Sequence, residues 1–349
     1  MDLSFYKGKT VLVTGHTGFK GSWLCKVLTL LGANVIGYAL KPPTSPSLFE
    51  LLQLEKRMTS IIGDVKDTEK LIDIIKTYRP EIVIHMAAQA IVQTGYSDPL
   101  STYSTNVMGT VSVCEAIRQT DCVRSFVNVT TDKVYSNDER CEPYTESDVL
   151  CGFDPYSNSK SCSELVTASY KGAFLEKKDV AVSTARAGNV IGGGDFAESR
   201  IIPSCVRLAH EGKAITVRNP HSVRPYQHVL EPVTAYLLLA KLQYSNPSLS
   251  DSYNIGPSDS DCLETGALVD IFCECWKDGA RWEYTADENA PKESGYLKLN
   301  CEKISARLNW KPKWNARQAI EKTASLYKTI LNGGDCNRMI EEQINEYLS

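Results

Sequence analysis

The chain is 349 residues long, 42% apolar and 23% charged, the balance of an ordinary globular protein, which excludes disorder as its general state. Lys plus Arg number 38 against 42 Asp plus Glu, so the net charge of −4 lacks the basic footprint of a nucleic-acid binder. No apolar run approaches the roughly 18–20 residues of a membrane span; the longest candidate, Ala235-Tyr-Leu-Leu-Leu-Ala240, stops at Lys241.

Strand and helix alternate through the first half. Residues 10–14 are a short apolar run with β-branched side chains and read as a strand. A helix follows over 18–32, with Trp23, Leu24, Val27, Leu28 and Leu31 at helical spacing. Strands are expected at 34–39 and 60–62, a helix at 67–78, a strand at 80–85, a long helix at 98–119 and a strand at 125–130. A helix at 154–175 and a strand at 180–185 complete the series. Nearly unbroken apolar strands between helices predict a parallel sheet covered on both faces. After about residue 190 the pattern changes. Gly192-Gly193-Gly194 interrupts the chain and the elements shorten. A helix near 232–243 and a strand at 252–255 are placed to return to the sheet, and helices at 316–331 and 338–347 close the chain. No internal repeat or low-complexity linker is visible.

The first strand runs into Thr14-Gly15-His16-Thr17-Gly18-Phe19-Lys20-Gly21, which opens the first helix. Gly15 permits the tight turn, Gly18 lets the backbone approach a pyrophosphate, and Gly21 allows close packing of helix on strand. Free N–H groups at the helix start favour an anion. This is a dinucleotide-binding turn in its required strand–turn–helix context. The fold class expected is α/β, a Rossmann-type doubly wound parallel sheet with a smaller, interleaved C-terminal α/β substrate domain. The first domain covers 1–189 with returns near 226–257, and the second covers 190–225 and 258–349. No acid closes the second strand, which ends Tyr38-Ala39-Leu40-Lys41, so the usual ribose contact is missing. Lys41 is a candidate partner for a 2′-phosphate. Asp64 either bonds the adenine amino group or caps a turn.

Tyr156-Ser157-Asn158-Ser159-Lys160 sits in the helix after the fifth strand, and residues four apart share a helix face. An ammonium beside a phenol favours the phenolate, which acts as a base toward a substrate hydroxyl. Thr131, in Thr130-Thr131-Asp132-Lys133 at the end of the fifth strand, supplies a third hydroxyl beside it.

On these residues the chain resembles the extended short-chain dehydrogenase/reductase family that acts on nucleotide sugars. The similarity covers nearly the whole length. Its markers are the glycine turn, Gly63-Asp64, His85-Met-Ala-Ala-Gln89, Asn106-Val-Met-Gly-Thr110, Thr130–Lys133, Tyr156 with Lys160, and Arg186–Asp195. Within it, Gly15–Trp23, Pro46–Glu50, Thr131–Lys133, Arg224–Pro232 and Gly295–Asn300 are similar to the branch that dehydrates CDP-glucose. The resemblance implies NAD as cofactor, held by Gly15, His16, Thr17, Gly18, Phe19, Lys20, Gly21, Asp64, Val65, Ala87, Ala88, Gln89, Asn106, Tyr156 and Lys160. It implies catalysis by Thr131, Asp132, Lys133, Tyr156 and Lys160, and substrate contacts from Gln89, Thr131, Asn189, Arg200 and Arg224.

The implied reaction is redox-neutral: oxidation at C4, loss of water across C5 and C6, and reduction at C6. Tyr156 takes the 4-hydroxyl proton with help from Thr131 and Lys160, and Asp132 protonates the departing 6-hydroxyl. To act so, Asp132 must carry a proton near neutrality, which burial favours. Relatives acting on dTDP-sugars have Glu where this chain has Lys133. Lys133 is therefore the C5 base, or an electrostatic support for the enolate, or simply a solvated or carboxylate-paired lysine. His16 is large for its position and either faces the pyrophosphate or the solvent. Cytosine is implied by resemblance alone.

A nucleotide-sugar 4-epimerase or another dehydratase on the same scaffold is the rival reading, but an epimerase has no use for Asp132-Lys133. A silent dinucleotide-binding member is expected to lack Tyr156 or Lys160. Homodimer or homotetramer formation is implied through the helices at 98–119 and 154–175. Residues 1–9 hold no apolar signal core, and the twelve scattered cysteines include no Cys-x-x-Cys. Both favour a cytoplasmic protein with reduced thiols, no bound metal, and no nucleic-acid or membrane partner.

Overall fold

The computed structural model describes residues 2–285 and 295–349. Seven strands form one sheet: β1 Thr10–Thr14, β2 Asn34–Ala39, β3 Thr59–Ile62, β4 Ile82–His85, β5 Ser125–Val129, β6 Ala181–Ala187 and β7 Ser252–Ile255. Their order is β7-β6-β5-β4-β1-β2-β3. All neighbouring pairs are parallel. The order reverses between β1 and β4, and in such sheets the carboxyl ends of those strands frame the ligand crevice.

Period-two alternation sorts the side chains into two cores. Val11 and Val13, Ile82 and Ile84, and Val127 and Val129 face one side, packed on Trp23 and Leu24 of helix α1 (Phe19–Leu30). Leu12, Val83 and Phe126 face the other, packed on Leu71 and Ile75 of α2 (Thr68–Tyr78) and on Val113 and Ile117 of α3 (Gly109–Arg118). The first core is completed by α5 (Leu230–Ser245), whose Val233, Leu237 and Leu239 are fully buried. Each such side chain stabilises the fold by about 1.5–3 kcal/mol. Helix α4 (Pro155–Tyr170) instead lays a polar face on the sheet, where Asn128 Nδ2 donates to Ser163 Oγ at 3.0 Å and to Thr167 Oγ1 at 2.7 Å.

A third core lies outside the sheet. It joins Ile202, Ile215, Leu268, Phe272 and Ile320. Three two-stranded pairings surround it: Val190–Ile191 with Gln227–His228, Val223–Arg224 with Leu263–Glu264, and Ile215–Val217 with Trp282–Tyr284. Trp23 ties the two parts together by donating Nε1–H to Gly193 O at 3.1 Å.

The helix expected over 98–119 is interrupted. It runs as Pro99–Tyr103, a π-helical turn at Ser104–Met108, and then α3. The helix expected over 154–175 likewise ends in a π-helical turn at Lys171–Leu175. Among the described residues, no helix is long and apolar enough to cross a membrane.

Candidate active site

The glycine turn occupies the crevice between β1 and β4. Gly15 has φ +77°, and a Cβ there would lie 2.7 Å from Ala87 N. At Gly21 a Cβ would sit 2.1 Å from Gly15 O, so only hydrogen lets α1 rest on the turn. Gly18 differs. A Cβ there would meet Gly15 O at an ordinary 3.5 Å, so this glycine is not demanded by the protein's own packing. Among the described residues, α1 starts with no side-chain cap and no acid in its first turn. An open cradle at an uncapped helix start fits the pyrophosphate of a dinucleotide.

The catalytic candidates converge at the end of β5. Thr131 caps a short 3₁₀ turn, Asp132–Val134. Thr131 Oγ1 donates to Asp132 Oδ1 at 2.9 Å, and Lys133 Nζ donates to the same oxygen at 3.1 Å. Lys133 Nζ also donates to Asn189 Oδ1 at 3.1 Å. Asp132 is 1% exposed, yet its Oδ2 is buried with no hydrogen-bond partner among the described residues. Lys133 is thus carboxylate-paired and half-buried rather than fully solvated.

Helix α4 stands over this turn. Asp154 caps it, accepting from Ser157 N–H at 3.0 Å, and Pro155 occupies its first turn. Lys160 Nζ donates to Val129 O at 3.1 Å and Ser161 Oγ to Val134 O at 2.7 Å, so α4 grips both ends of the 129–134 segment. Tyr156 lies one turn earlier. Lys160 is expected to lower the phenol's pKa, but its ammonium is turned to Val129 O and burial wins. The Tyr156 phenol is pushed up to about 12, with the Thr131 hydroxyl and the Arg200 guanidinium pulling the other way. Burial lowers Lys160 to about 8, opposed by Glu164.

The remaining predicted residues have varied destinations. Asn106, in the π-helical turn, accepts from Gln89 N–H at 2.8 Å and donates to Gln89 O at 3.0 Å and Ser159 Oγ at 2.8 Å. It fixes the loop carrying Ala87 and Ala88 against α4. The Gln89 amide is used within that loop, donating to Ile91 O at 3.0 Å and Thr102 Oγ1 at 2.8 Å and accepting from Ile91 N–H at 2.6 Å. Asp64 takes the turn-capping role, accepting from Lys66 N–H at 2.9 Å, while Val65 is buried against Gly109. Thr17 Oγ1 donates to Leu40 O at 2.9 Å just past β2. Arg200 Nη1 pairs with Asp195 Oδ2 at 2.8 Å, and Arg224 Nη1 donates to Val223 O at 2.9 Å.

His16 meets neither expectation. It is fully buried, its Nε2 lies 2.7 Å from Ser60 Oγ, and its ring meets Phe49 edge-on. The space comes from Gly37, where a Cβ would lie 2.3 Å from His16 Cγ. Burial lowers the imidazole to about 4, so it stays neutral in the core.

Tyr236 and Glu164 are the members of the cluster that a motif reading misses; Lys20, already assigned to the glycine turn, contacts the first. Lys20 Nζ donates to Tyr236 OH at 3.3 Å, and burial together with the nearby Arg200, Lys160 and Lys133 cations lowers it to about 7. The available signal was a lone hydroxyl in the apolar run 235–240. Glu164, one turn after Lys160, is buried, accepts from Thr130 Oγ1 and pairs with Arg186 at 2.9 Å. Its spacing from Lys160 on one helix face was the clue.

Residues 12–323 match the family described as GDP-mannose 4,6 dehydratase. The chain is 44% identical over its full length to the CDP-glucose 4,6-dehydratase of Salmonella typhimurium, covering 99% of that enzyme. It is 25% identical to the dTDP-glucose 4,6-dehydratase of Haemophilus influenzae, over 91% of this chain and 97% of the other. Among solved structures, the UDP-glucose 4-epimerase of Thermotoga maritima with UDP-glucose superposes with a TM-score of 0.80 at 21% identity, over 92% of this chain and 99% of the other. The dTDP-glucose 4,6-dehydratase of Bacillus anthracis in complex with NAD gives 0.77 at 22% identity, over 94% and 99%.

Proposed function

Since the chain belongs to the GDP-mannose 4,6 dehydratase family, we propose that it removes water from CDP-glucose to give CDP-4-keto-6-deoxyglucose, the first step toward CDP-linked deoxysugars. The enzyme is a hydro-lyase that depends on NAD. CDP rather than another nucleotide is favoured by the full-length similarity to the Salmonella enzyme. Elimination rather than epimerisation is favoured by Asp132, whose buried Oδ2 has no partner among the described residues and lies beside Tyr156 and Lys133. That unpaired oxygen is the observation that carries the reading. A buried polar atom left unpaired costs stability, so a substrate group that completes it is the natural occupant.

The open cradle at Gly18 fits NAD. It is held by the Gly15–Gly21 turn, Asp64, Val65, Ala87, Ala88, Asn106, Tyr156 and Lys160. NAD, when bound, supplies the two-electron acceptor at C4 and the donor at C6. The side chains do the proton work. Tyr156 takes the 4-hydroxyl proton once its phenol, held up by burial, has given up its own; Thr131 holds that hydroxyl, and Arg200 and Lys160 supply the positive charge that favours the phenolate. The 4-ketone acidifies the C5 hydrogen. Asp132 gives its proton to the 6-hydroxyl, which leaves as water. Lys133 stands against Asp132 and Asn189, where its amine removes and later returns the C5 proton. Arg200, Arg224, Asn189 and Gln89 are assigned to the nucleotide sugar, and 190–225 with 258–349 to the domain that holds it.

The protein works as a homodimer or homotetramer in the cytoplasm. Exposed apolar side chains on the two long helices support the first point: Leu100 is 81% exposed and Phe153, just before α4, 92%, with Tyr103, Met108 and Leu165 beside them in sequence. Twelve free cysteines support the second.

The test uses purified protein, CDP-glucose and trace NAD⁺. Mass spectrometry shows loss of one water with no net NADH. An isomer with no loss of water, or no turnover at all, overturns the proposal.

A further inference from the structure

A buried ion pair joins α4 to the sheet. Glu164, on α4, and Arg186, on β6, meet at 2.9 Å, each only 3% exposed. Removing two charges from water can cost more than their attraction offsets, and an apolar pair of similar volume often leaves a fold as stable or more so. This pair is not even complete: Arg186 Nε–H is buried with no partner among the described residues. Net stability is therefore a weak reason for its presence.

What the pair holds is a stronger one. Glu164 Oε1 accepts from Thr130 Oγ1 at 2.5 Å, and Oε2 accepts from Thr184 Oγ1 at 2.7 Å as well as from Arg186 Nη2. Arg186 Nη1 donates to Tyr135 OH at 3.1 Å and to Glu146 O at 3.1 Å. Thr130 and Tyr135 bracket the segment that carries Thr131, Asp132 and Lys133. The carboxylate thus holds one end of that segment and the guanidinium the other. The clamp is seated on the sheet itself, since Arg186 and Thr184 are β6 residues and Thr130 N–H donates to Ala185 O at 2.9 Å.

On the dehydratase reading above, we infer that Glu164 and Arg186 are positioning residues for the elimination, an ion pair that clamps Thr130 and Tyr135 and so fixes Asp132 and Lys133 against the sugar. Both act through the turn between those two contacts. Tyr156 and Lys160 have anchors of their own, the Asp154 cap at the start of α4 and the 3.1 Å bond from Lys160 Nζ to Val129 O. Loss of the clamp therefore slows departure of water more than oxidation at C4.

The test removes the pair and spares the fold. In a Glu164→Leu, Arg186→Met double variant, the hydroxyls freed by the carboxylate keep acceptors: Ala185 O lies 3.4 Å from Thr130 Oγ1, and Ser252 Oγ lies 2.9 Å from Thr184 Oγ1. Tyr135 OH keeps Asn254 Oδ1. Each single change strands a buried charge and lowers the melting temperature, and the double change recovers it. Its kcat for CDP-glucose nevertheless stays about 10²-fold down with KM little changed, the scale of a small misplacement of reacting groups. With NAD⁺ supplied, reduced-nicotinamide absorbance builds up on the double variant during turnover and not on the wild type. A double variant that recovers both stability and kcat overturns the clamp, as does one that loses kcat with no such build-up. Where the double variant does not recover its melting temperature, Thr130→Val and Tyr135→Phe take its place, each cutting one contact and leaving the ion pair whole. Each is expected to lower kcat about tenfold with the same absorbance signature, and wild-type kcat in both overturns the clamp. Failure of the wild-type protein to dehydrate CDP-glucose overturns the functional reading instead.

Discussion

Two buried carboxylates in this molecule are built to opposite ends. Glu231, on α5, is fully buried and saturated: Oε1 accepts from Trp314 N–H at 2.7 Å, both oxygens lie 3.1 Å from Lys313 N, and Tyr347 OH donates to Oε2. It fastens the 311–314 segment and the last helix, Cys336–Leu348, to the core. Asp132 is as deeply buried but, among the described residues, keeps one oxygen unpaired. Completed networks rigidify, whereas incomplete ones store unfavourable energy that a ligand relieves. The contrast sets a carboxylate that clasps two segments together apart from one that sits in the cleft with an oxygen open to a ligand.

The comparison is broken most directly by exchanging the roles. Tyr156→Phe and Asp132→Asn are expected to lower kcat by about 10²–10⁴-fold while the melting temperature holds or rises. Turnover and calorimetry on the same samples decide it. Glu231→Ala is expected to do the reverse. It orphans two N–H groups and a phenol, costing about 3 kcal/mol or more in urea unfolding, while kcat per folded molecule is retained. The pH dependence of stability sharpens the point. Burial pushes the Glu231 carboxyl from its ordinary 4.5 up to about 7, against the pull of its Tyr347, Trp314 and Lys313 partners. Between those values the folded protein keeps a proton that the unfolded chain has lost. Glu231's contribution is therefore full below pH 4.5 and is lost as pH rises through 7, by up to about 3 kcal/mol. Glu231→Gln flattens that stretch of the stability curve. The smallest effect concerns the glycines. Gly18→Ala leaves the melting temperature in place and weakens NAD binding about tenfold by calorimetric titration, because its Cβ enters the open cradle. Gly21→Ala instead destabilises the turn itself.

The sheet was legible because its strands are short apolar runs with β-branched residues; all seven lie within a few residues of their expected places. The site's backbone was legible for a related reason, since a glycine trio and a Tyr–Lys pair have meaning only at the carboxyl ends of such strands. What escaped is non-local. A π-helical turn adds one residue to a helical period, so the apolar spacing around Ser104–Met108 still reads as continuous helix. Strands of two residues, such as Val190–Ile191, exist only by virtue of their partners. Side-chain destinations escaped too. Nothing local says that His16 turns into the space left by Gly37, or that Gln89 spends its amide on Ile91 and Thr102.

The path of the chain through α5 and β7 bears on how the protein is made. When the first 190 residues have left the ribosome, β6 is an outer strand with unpaired backbone groups, and the apolar side of the sheet awaits Val233, Leu237 and Leu239. Synthesis must continue to Ile255 before that edge and that surface are closed. A nascent or truncated product ending near residue 190 is therefore a natural client for chaperones and a seed for aggregation. For the same reason, the first 190 residues cannot be lifted out as a separate module by cutting at the Gly192–Gly194 stretch.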